Sequence, residues 1–311
     1  MSQAQAHGEP GRVIASHGRH VVVEAADRAT IPCTLAARRL QVVCGDEVLW
    51  ERSDTAGRGI VLDRLPRRSA LSRLNASGQS EAVVANISQL IVVFAPEPVP
   101  DFFIIDRYVA AAELYGLKAL VVLNKEEMPD ESGVSRDELS VYARIGYGVA
   151  ICSATTGSGV AELRPRLQSE VSVLLGQSGV GKSTLANRLL PGLDAETAAL
   201  SRSTLEGQHI TSVSTLHHLP GGGDLIDSPG VRDYAPDVEL LADPAHAFRE
   251  FTAPAAHCRF QDCRHLREPD CAVRSAVESG EITPRRYESY RRLSRLQAKV
   301  RETRPRKPGR S

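Results

Sequence analysis

The chain has 311 residues, 42% hydrophobic and 24% charged, with a formal net charge of zero. That length allows two or three domains, each with its own core, and the composition excludes a disordered or fibrous chain. No apolar run approaches the roughly 20 residues that cross a bilayer. The opening MSQAQAHGEPGR is polar and has no apolar secretory core. A cytoplasmic location with no membrane partner is therefore expected. Six cysteines without a sign of export favour metal binding over disulfides. The zero net charge hides an asymmetry: Arg285 to Ser311 holds eleven basic residues and two acids, leaving 27 basic and 36 acidic residues elsewhere. A basic segment on an acidic body suggests an anionic partner, nucleic acid first.

In chain order, residues 1–10 read as a disordered tail. RVIAS, HVVVEA, IPCTL, GDEVLWE and GIVLDRL then form five short β-type runs separated by Gly, Asp and Arg clusters. The spacing predicts a small barrel, OB-type or SH3-like; the OB type is a common oligonucleotide-binding scaffold. Trp50, Cys33 and Cys44 are expected in apolar interiors, as is Cys152 further on. Arg64, Arg67, Arg68 and Arg73 form a basic connector. From Val83 the pattern changes. Apolar strands in VANISQLIVVFA, KALVVLN, VAICS and EVSVLL alternate with helical stretches, which predicts a parallel α/β sheet. Residues 212–219 and 224–227 supply further strands. Beyond Asp237 the chain turns helical, then Cys-rich, then helical and basic.

Gly176-Gln-Ser-Gly-Val-Gly-Lys-Ser183 fits GxxxxGK[ST] between a strand and a helix, the context the motif requires. Gly179 and Gly181 let backbone N–H groups wrap phosphates, and the helix N-terminus adds positive charge. Gln177, Ser178, Val180 and Thr184 belong to the same cradle. Lys182 would contact the β- and γ-phosphates, and Ser183 would place its hydroxyl on Mg²⁺. Asp227-Ser-Pro-Gly230 supplies the second acidic motif, with Asp227 toward the metal and the Gly230 N–H toward the γ-phosphate. Between them lies GQHITS, where Thr211 is the candidate switch residue that closes on Mg²⁺ and the γ-phosphate.

Asn124-Lys-Glu-Glu127 follows the strand KALVVL and approximates NKxD, which reads guanine. Asn124 would bond the base edge, and the Lys125 stem would cover the ring. A carboxylate would accept from the two guanine N–H donors, a pattern adenine lacks. The carboxylate here is Glu127, one methylene longer than Asp. Ser153-Ala154-Thr155 matches the backbone loop that touches the guanine carbonyl. Ordinary GTPases place the phosphate loop first and NKxD late; here Asn124 and Ser153 precede Gly176, so the motifs are circularly permuted. Each still sits at a strand C-terminal end, where nucleotide sites in open α/β sheets lie.

Cys258, Cys263, His265 and Cys271 fall within fourteen residues. Three thiolates and one imidazole suit a closed, tetrahedral structural zinc site. His257 is an alternative nitrogen ligand.

These motifs together make the chain similar to the RsgA/YjeQ family, the small-ribosomal-subunit-dependent GTPases of bacteria. The resemblance spans the barrel, the permuted motifs, GQSGVGKSTLANRLLPG, DSPGVRDY and CRFQDCRHLREPDCAV. It implies an OB-fold at 11–75, a circularly permuted GTPase domain at 76–237, an α-helical zinc-binding domain at 238–301 and a basic tail at 302–311. It implies a monomer that takes GTP and GDP, binds the 30S subunit and its 16S rRNA, hydrolyses GTP faster there, and acts late in 30S maturation. It also implies that Asn124 and Lys125 contact guanine, that residues 176–184 hold the phosphates, and that Asp227 and Gly230 sense the γ-phosphate. The family's switch motif is close to G-x-H-T-T; here Ile210 replaces one Thr. Many GTPases place a water-orienting Gln just after DxxG, and here that position is Val231. His209 resembles the family's candidate catalytic residue and would orient or deprotonate water instead. Two other readings compete: a P-loop ATPase or kinase, and an RNA-binding protein using nucleotide only as a structural ligand.

Overall fold

The computed structural model describes residues 8–54, 57–75, 79–131, 133–192, 214–228 and 243–303. The five expected barrel strands are present as β1 (Glu9–His17), β2 (His20–Glu24), β3 (Thr30–Leu35), β4 (Glu47–Arg52) and β5 (Gly59–Arg64). The β1 strand is long enough to pair with both β2 and β4, and β3 runs parallel to β5. The sheet therefore closes into a barrel, which removes its open edges. Alternation along each strand turns Val13, Val21, Val23, Ile31, Cys33, Leu35, Val48, Trp50 and Val61 inward to form the core.

The basic connector is more ordered than its composition suggests. Residues 70–85 fold as an antiparallel hairpin of β6 (Ala70–Leu74) and β7 (Ser80–Ala85). Arg67 makes a two-pronged ion pair with the fully buried Asp46, at 2.7 and 2.8 Å. Arg68 pairs with Glu47 at the surface. These two arginines tie the connector to the barrel.

The second half of the main sheet is built from β8 (Gln89–Phe94), β9 (Lys118–Leu123), β10 (Gly148–Ile151), β11 (Val171–Leu175), β12 (Ser214–His218) and β13 (Asp224–Asp227). The spatial order is β10-β9-β8-β11-β13-β12. Helices α1 (Phe102–Tyr115), α2 (Val134–Ile145), α3 (Val160–Leu163) and α4 (Lys182–Leu189) lie between strands in sequence. All six residues of β8 are buried. Its alternate side chains enter two cores: Leu90, Val92 and Phe94 join Ile105 and Val109 of α1, while Ile91 and Val93 join Leu185 and Leu189 of α4.

One strand departs from the parallel sheet expected from sequence: β12 is antiparallel to β13. A short turn joins them, with Leu219 N–H donating to Gly223 and Gly222 N–H to Leu219. So short a connection permits a hairpin but not a parallel crossover. The other edge of β12 pairs with β1 through Ala15↔Thr215 and Ser16↔Ser214, so one eleven-stranded sheet runs from nucleotide-type strands into barrel wall. Arg12–Asp224 at 2.6 Å and His218 between Glu24 and Asp224, at 2.7 Å from each, reinforce the junction.

The C-terminal part contains α5 (Thr252–Ala255), α6 (Ala272–Glu278) and α7 (Pro284–Thr303). It is fastened by a buried ionic cluster. Arg286, 1% exposed, donates to Asp106 of α1 and to Glu250, both at 2.6 Å. Arg285 bonds Asp106 and Glu138, and the Tyr142 hydroxyl donates to Asp106. Burial pushes the Asp106 carboxyl up, but Arg286 and then Arg285 outweigh it and hold it below the usual range. Two residues of the basic segment, Arg285 and Arg286, are thus internal structural ties. Removing one member of a buried pair strands the other charge at a cost of about 3–5 kcal/mol. Arg286→Ala is expected to lower the unfolding free energy by about that amount in denaturant titration. Because the folded pKa of Asp106 is depressed, the wild-type cluster's contribution is full above the unfolded carboxyl pKa and is lost as pH falls through the folded one.

Candidate functional site

The strand β11 ends at Leu175 and the chain turns through Gly176–Gly181 into α4. Gly176 has φ of 147°, and a Cβ there would lie 2.1 Å from the Val93 carbonyl oxygen. Gly181 has φ of 92°, and its Cβ would lie 2.4 Å from Asn124 Nδ2. Both positions therefore require glycine. Val180 is buried, while Ser178, Gly179, Ser183 and Thr184 are exposed. Lys182 folds back so that its ammonium donates to the Gly176 and Gln177 carbonyls, both at 2.7 Å. Its ammonium is thereby tied to the start of the loop.

Asn124 follows β9 and is 1% exposed. Its Nδ2 donates to the Val180 carbonyl at 2.9 Å, and its Oδ1 accepts from the Ala154 N–H at 2.9 Å. One amide thus joins the phosphate-type loop to the loop after β10. Lys125 sits in the left-handed region, φ 60°, with its ammonium on the Glu97 carbonyl at 2.8 Å. Glu127 is exposed, and its carboxylate bonds the Ser153 and Thr155 side chains; the Ser153 contact is the main cause of its lowered pKa. It remains an acceptor-only anion at neutral pH, as two N–H donors require. Residues 124–127, 153–155 and 176–184 follow the C-terminal ends of β9, β10 and β11, parallel strands of one sheet in which β8 lies between β9 and β11. Asp227 ends β13, directly beside β11, and Ser183 lies in the first turn of α4. His209, Ile210, Thr211, Gly230 and Val231 lie outside the described residues.

The loop between β8 and α1 joins the site without a motif to announce it. Its Asp101 N–H donates to Gln177 Oε1 at 2.8 Å, and Pro98 lies over Gly179. The available sequence signal is an N-cap: Asp101 precedes the apolar run of α1, and its side chain accepts from Phe103 N–H.

The second constellation is the cysteine cluster. The ligand atoms of Cys258, Cys263, His265 and Cys271 all lie within 4.8 Å of one another. His265 Nδ1 is 3.5 Å from the sulfurs of Cys258 and Cys271, which are 3.9 Å apart. A tetrahedral ion with Zn–S near 2.3 Å and Zn–N near 2.0 Å spaces sulfurs about 3.8 Å apart and sulfur to nitrogen about 3.5 Å. The donors fit such an ion. His257 is turned away, with Nδ1 on the Ala253 carbonyl, so His265 is the nitrogen in the cluster. Glu268 shapes the loop by accepting from the N–H groups of Arg264, Leu266 and Arg267. Burial opposes its charge, but these backbone bonds hold its carboxyl down at about 2. Tyr287 and Tyr290 of α7 donate to the His265 and Arg264 carbonyls.

A glycine-rich phosphate loop after β11, with the Asn124 and Ser153 motifs earlier in the chain but at the same end of the same parallel sheet, defines a circularly permuted P-loop GTPase. A family model described as RsgA GTPase matches residues 64–236. The chain is 45% identical to the small ribosomal subunit biogenesis GTPase RsgA of Pseudomonas aeruginosa strain LESB58, over 92% of this chain and 84% of the relative. Identity to the protein of the same name from Azotobacter vinelandii is 44%, over 91% and 84%. The crystal structure of YjeQ from Thermotoga maritima superposes with a TM-score of 0.74 at 31% identity, covering 95% of this chain and 99% of that one. YloQ, a circularly permuted GTPase, shares the fold at 23% identity with a TM-score of 0.70, covering 99% and 100%. The chain belongs to the RsgA GTPase family, and its activity is GTP hydrolysis. For the cysteine cluster, elemental analysis of purified protein is expected to return one divalent metal per chain, and Cys271→Ser to abolish that stoichiometry.

Proposed function

We propose that this GTPase binds the small ribosomal subunit through its 16S rRNA and hydrolyses GTP faster when bound, acting late in subunit maturation in the cytoplasm as a monomer. The observation that carries the nucleotide reading is the Asn124 amide, bonded at once to Val180 of the phosphate loop and Ala154 of the base loop. That arrangement fixes the spacing of a phosphate and a purine subsite. Glu127, kept anionic by Ser153 and Thr155, selects guanine by accepting its two N–H donors. Lys182 and the N–H groups of residues 176–184 hold the phosphates. Ser183, Asp227 and Thr211 would hold Mg²⁺, which when bound would supply neutralisation of charge on the phosphate oxygens. His209 orients the attacking water, since Val231 lacks a polar group for that task. Names of the relatives support the ribosomal assignment.

The barrel at 11–75 and the C-terminal region at 238–301 are proposed to flank the GTPase part at 76–237 as subunit-contacting modules. Zinc is the proposed metal of the Cys3His cluster, in a structural role, because all four donors belong to the protein. On α7, Arg291 and Arg295 share Glu288 as an ion-pair partner, which phosphate would displace. Arg291, Arg295 and Lys299 recur every four residues on α7, so they share one side of the helix.

Turnover measured with and without purified small subunits tests the main reading. Addition of subunits is expected to raise kcat by at least about tenfold, a barrier change near 1.4 kcal/mol. His209→Ala is expected to lose most of that stimulation; full stimulation in this variant would exclude the role given to His209. Replacing Arg291, Arg295 and Lys299 by Gln is expected to weaken subunit binding. It should also flatten the log–log salt dependence, by about 0.7–0.9 for each phosphate no longer neutralised. An unchanged slope would move the RNA-binding face to the barrel.

A further inference from the structure

The loop after β10 is held from two sides. On one side the Ala154 N–H donates to Asn124. On the other, Arg188 in the last turn of α4 donates from Nε to the Ala154 carbonyl at 3.0 Å and from Nη2 to the Thr155 carbonyl at 2.5 Å. Its guanidinium also covers Gly157, φ 92°, where a Cβ would lie 3.6 Å from Cζ. The fork geometry of arginine matches two successive carbonyls, whereas a lysine would satisfy one. Arg164 in turn caps α4 by donating to the Arg188 and Leu189 carbonyls. The hydrogen bonds close a ring: Val180 to Asn124, Asn124 to Ala154, Ala154 to Arg188, and back along α4 to the phosphate loop.

We propose that Arg188 is a positioning residue for guanine recognition, pinning the Ser153–Thr155 loop to the helix that carries the phosphate loop. This rests on the guanine-site reading above. Arg188 and Thr155 are exposed, while Ser153 and Ala154 are buried. Without the side chain, the loop keeps its own backbone bonds, Ser153 N–H to the Ser158 carbonyl and Gly157 N–H to the Ser153 carbonyl, and so keeps its fold. Its distance from the phosphate subsite is then no longer fixed. Base recognition depends on that distance; phosphate binding does not.

The test uses full-length wild type, Arg188→Ala, Arg188→Lys and Asn124→Ala. Fluorescent GDP and ADP analogues give dissociation constants, and steady-state GTP turnover separates KM from kcat. Loss of two charge-assisted hydrogen bonds at a surface site is expected to weaken GDP about fivefold to tenfold in Arg188→Ala. ADP binding is expected to hold, so the preference for GDP shrinks by the same factor. The effect falls on KM rather than kcat, and Arg188→Lys lies between. Unchanged GDP affinity, equal weakening of GDP and ADP, or a loss confined to kcat would each overturn the proposal. Asn124→Ala separates the two layers. If it loses base preference while Arg188→Ala retains it, only the role of Arg188 fails. If both retain it, the guanine-site reading itself fails.

Discussion

The buried Asn124 amide is the point on which the proposed nucleotide site depends. It lies where three loops converge, and its two polar ends satisfy a carbonyl of one loop and an N–H of another. A buried amide so placed cannot be exchanged for an apolar side chain without orphaning both partners, at roughly 1–3 kcal/mol each. The same interaction explains why Gly181 must be glycine, since any Cβ would crowd the position of Nδ2. Phosphate-loop geometry and base-loop geometry are therefore one constraint. Catalytic positioning inherits it, because phosphates held at a fixed distance from the base are presented in one register to whatever orders the water.

The sheet extends this constraint outward. The strand β12 lies between β13, which ends in Asp227, and β1 of the barrel. A shift of β12 along its axis would break ladder bonds on both sides, so β12, β13 and the barrel wall move together. The salt bridge and His218 bonds at the junction join strands of the barrel to the same hairpin. Burial lowers the His218 pKa, yet Glu24 and Asp224 raise it overall. The raised value means that this contribution is present below the ordinary histidine pKa and fades as pH climbs through the folded one. At the other end of the molecule, α1 begins at the Asp101 bond to Gln177 and carries Asp106, the anchor of α7. Barrel and C-terminal region each reach the phosphate loop's neighbourhood through one rigid element.

Much of this is legible in the sequence, for a physical reason. Strands such as KALVVL are buried on both faces and show as continuous apolar runs. A phosphate loop needs glycines at fixed spacing, and metal ligands must be Cys or His close in sequence. The β6–β7 hairpin is hidden because EAVVA merges with the following NISQLIVV into one apolar stretch. The β1–β12 pairing is an edge interaction that no local pattern encodes. Arg285 and Arg286 count with the basic segment because charge alone cannot reveal Asp106, 180 residues away from Arg286 and buried against it. Glu127 reads as a departure from Asp; the Ser153 and Thr155 side chains give its longer stem a seat.

The permuted order follows from how such a sheet is held together. A parallel α/β sheet is stabilised by strand neighbours and helix packing, and neither depends on which strand the chain visits first. Opening the chain before β8 and after β13 leaves every ladder of the β10-β9-β8-β11-β13-β12 sheet in place. The choice of opening still has consequences. It places the barrel ahead of β8, with β1 free to extend the sheet at β12. It also places the Cys3His region after Asp227 in sequence, with no other GTPase strand between them among the described residues. In the unpermuted order β13 would be followed by β8, at the centre of the sheet. The permutation instead lets the chain continue in sequence from β13 to the Cys3His region and α7.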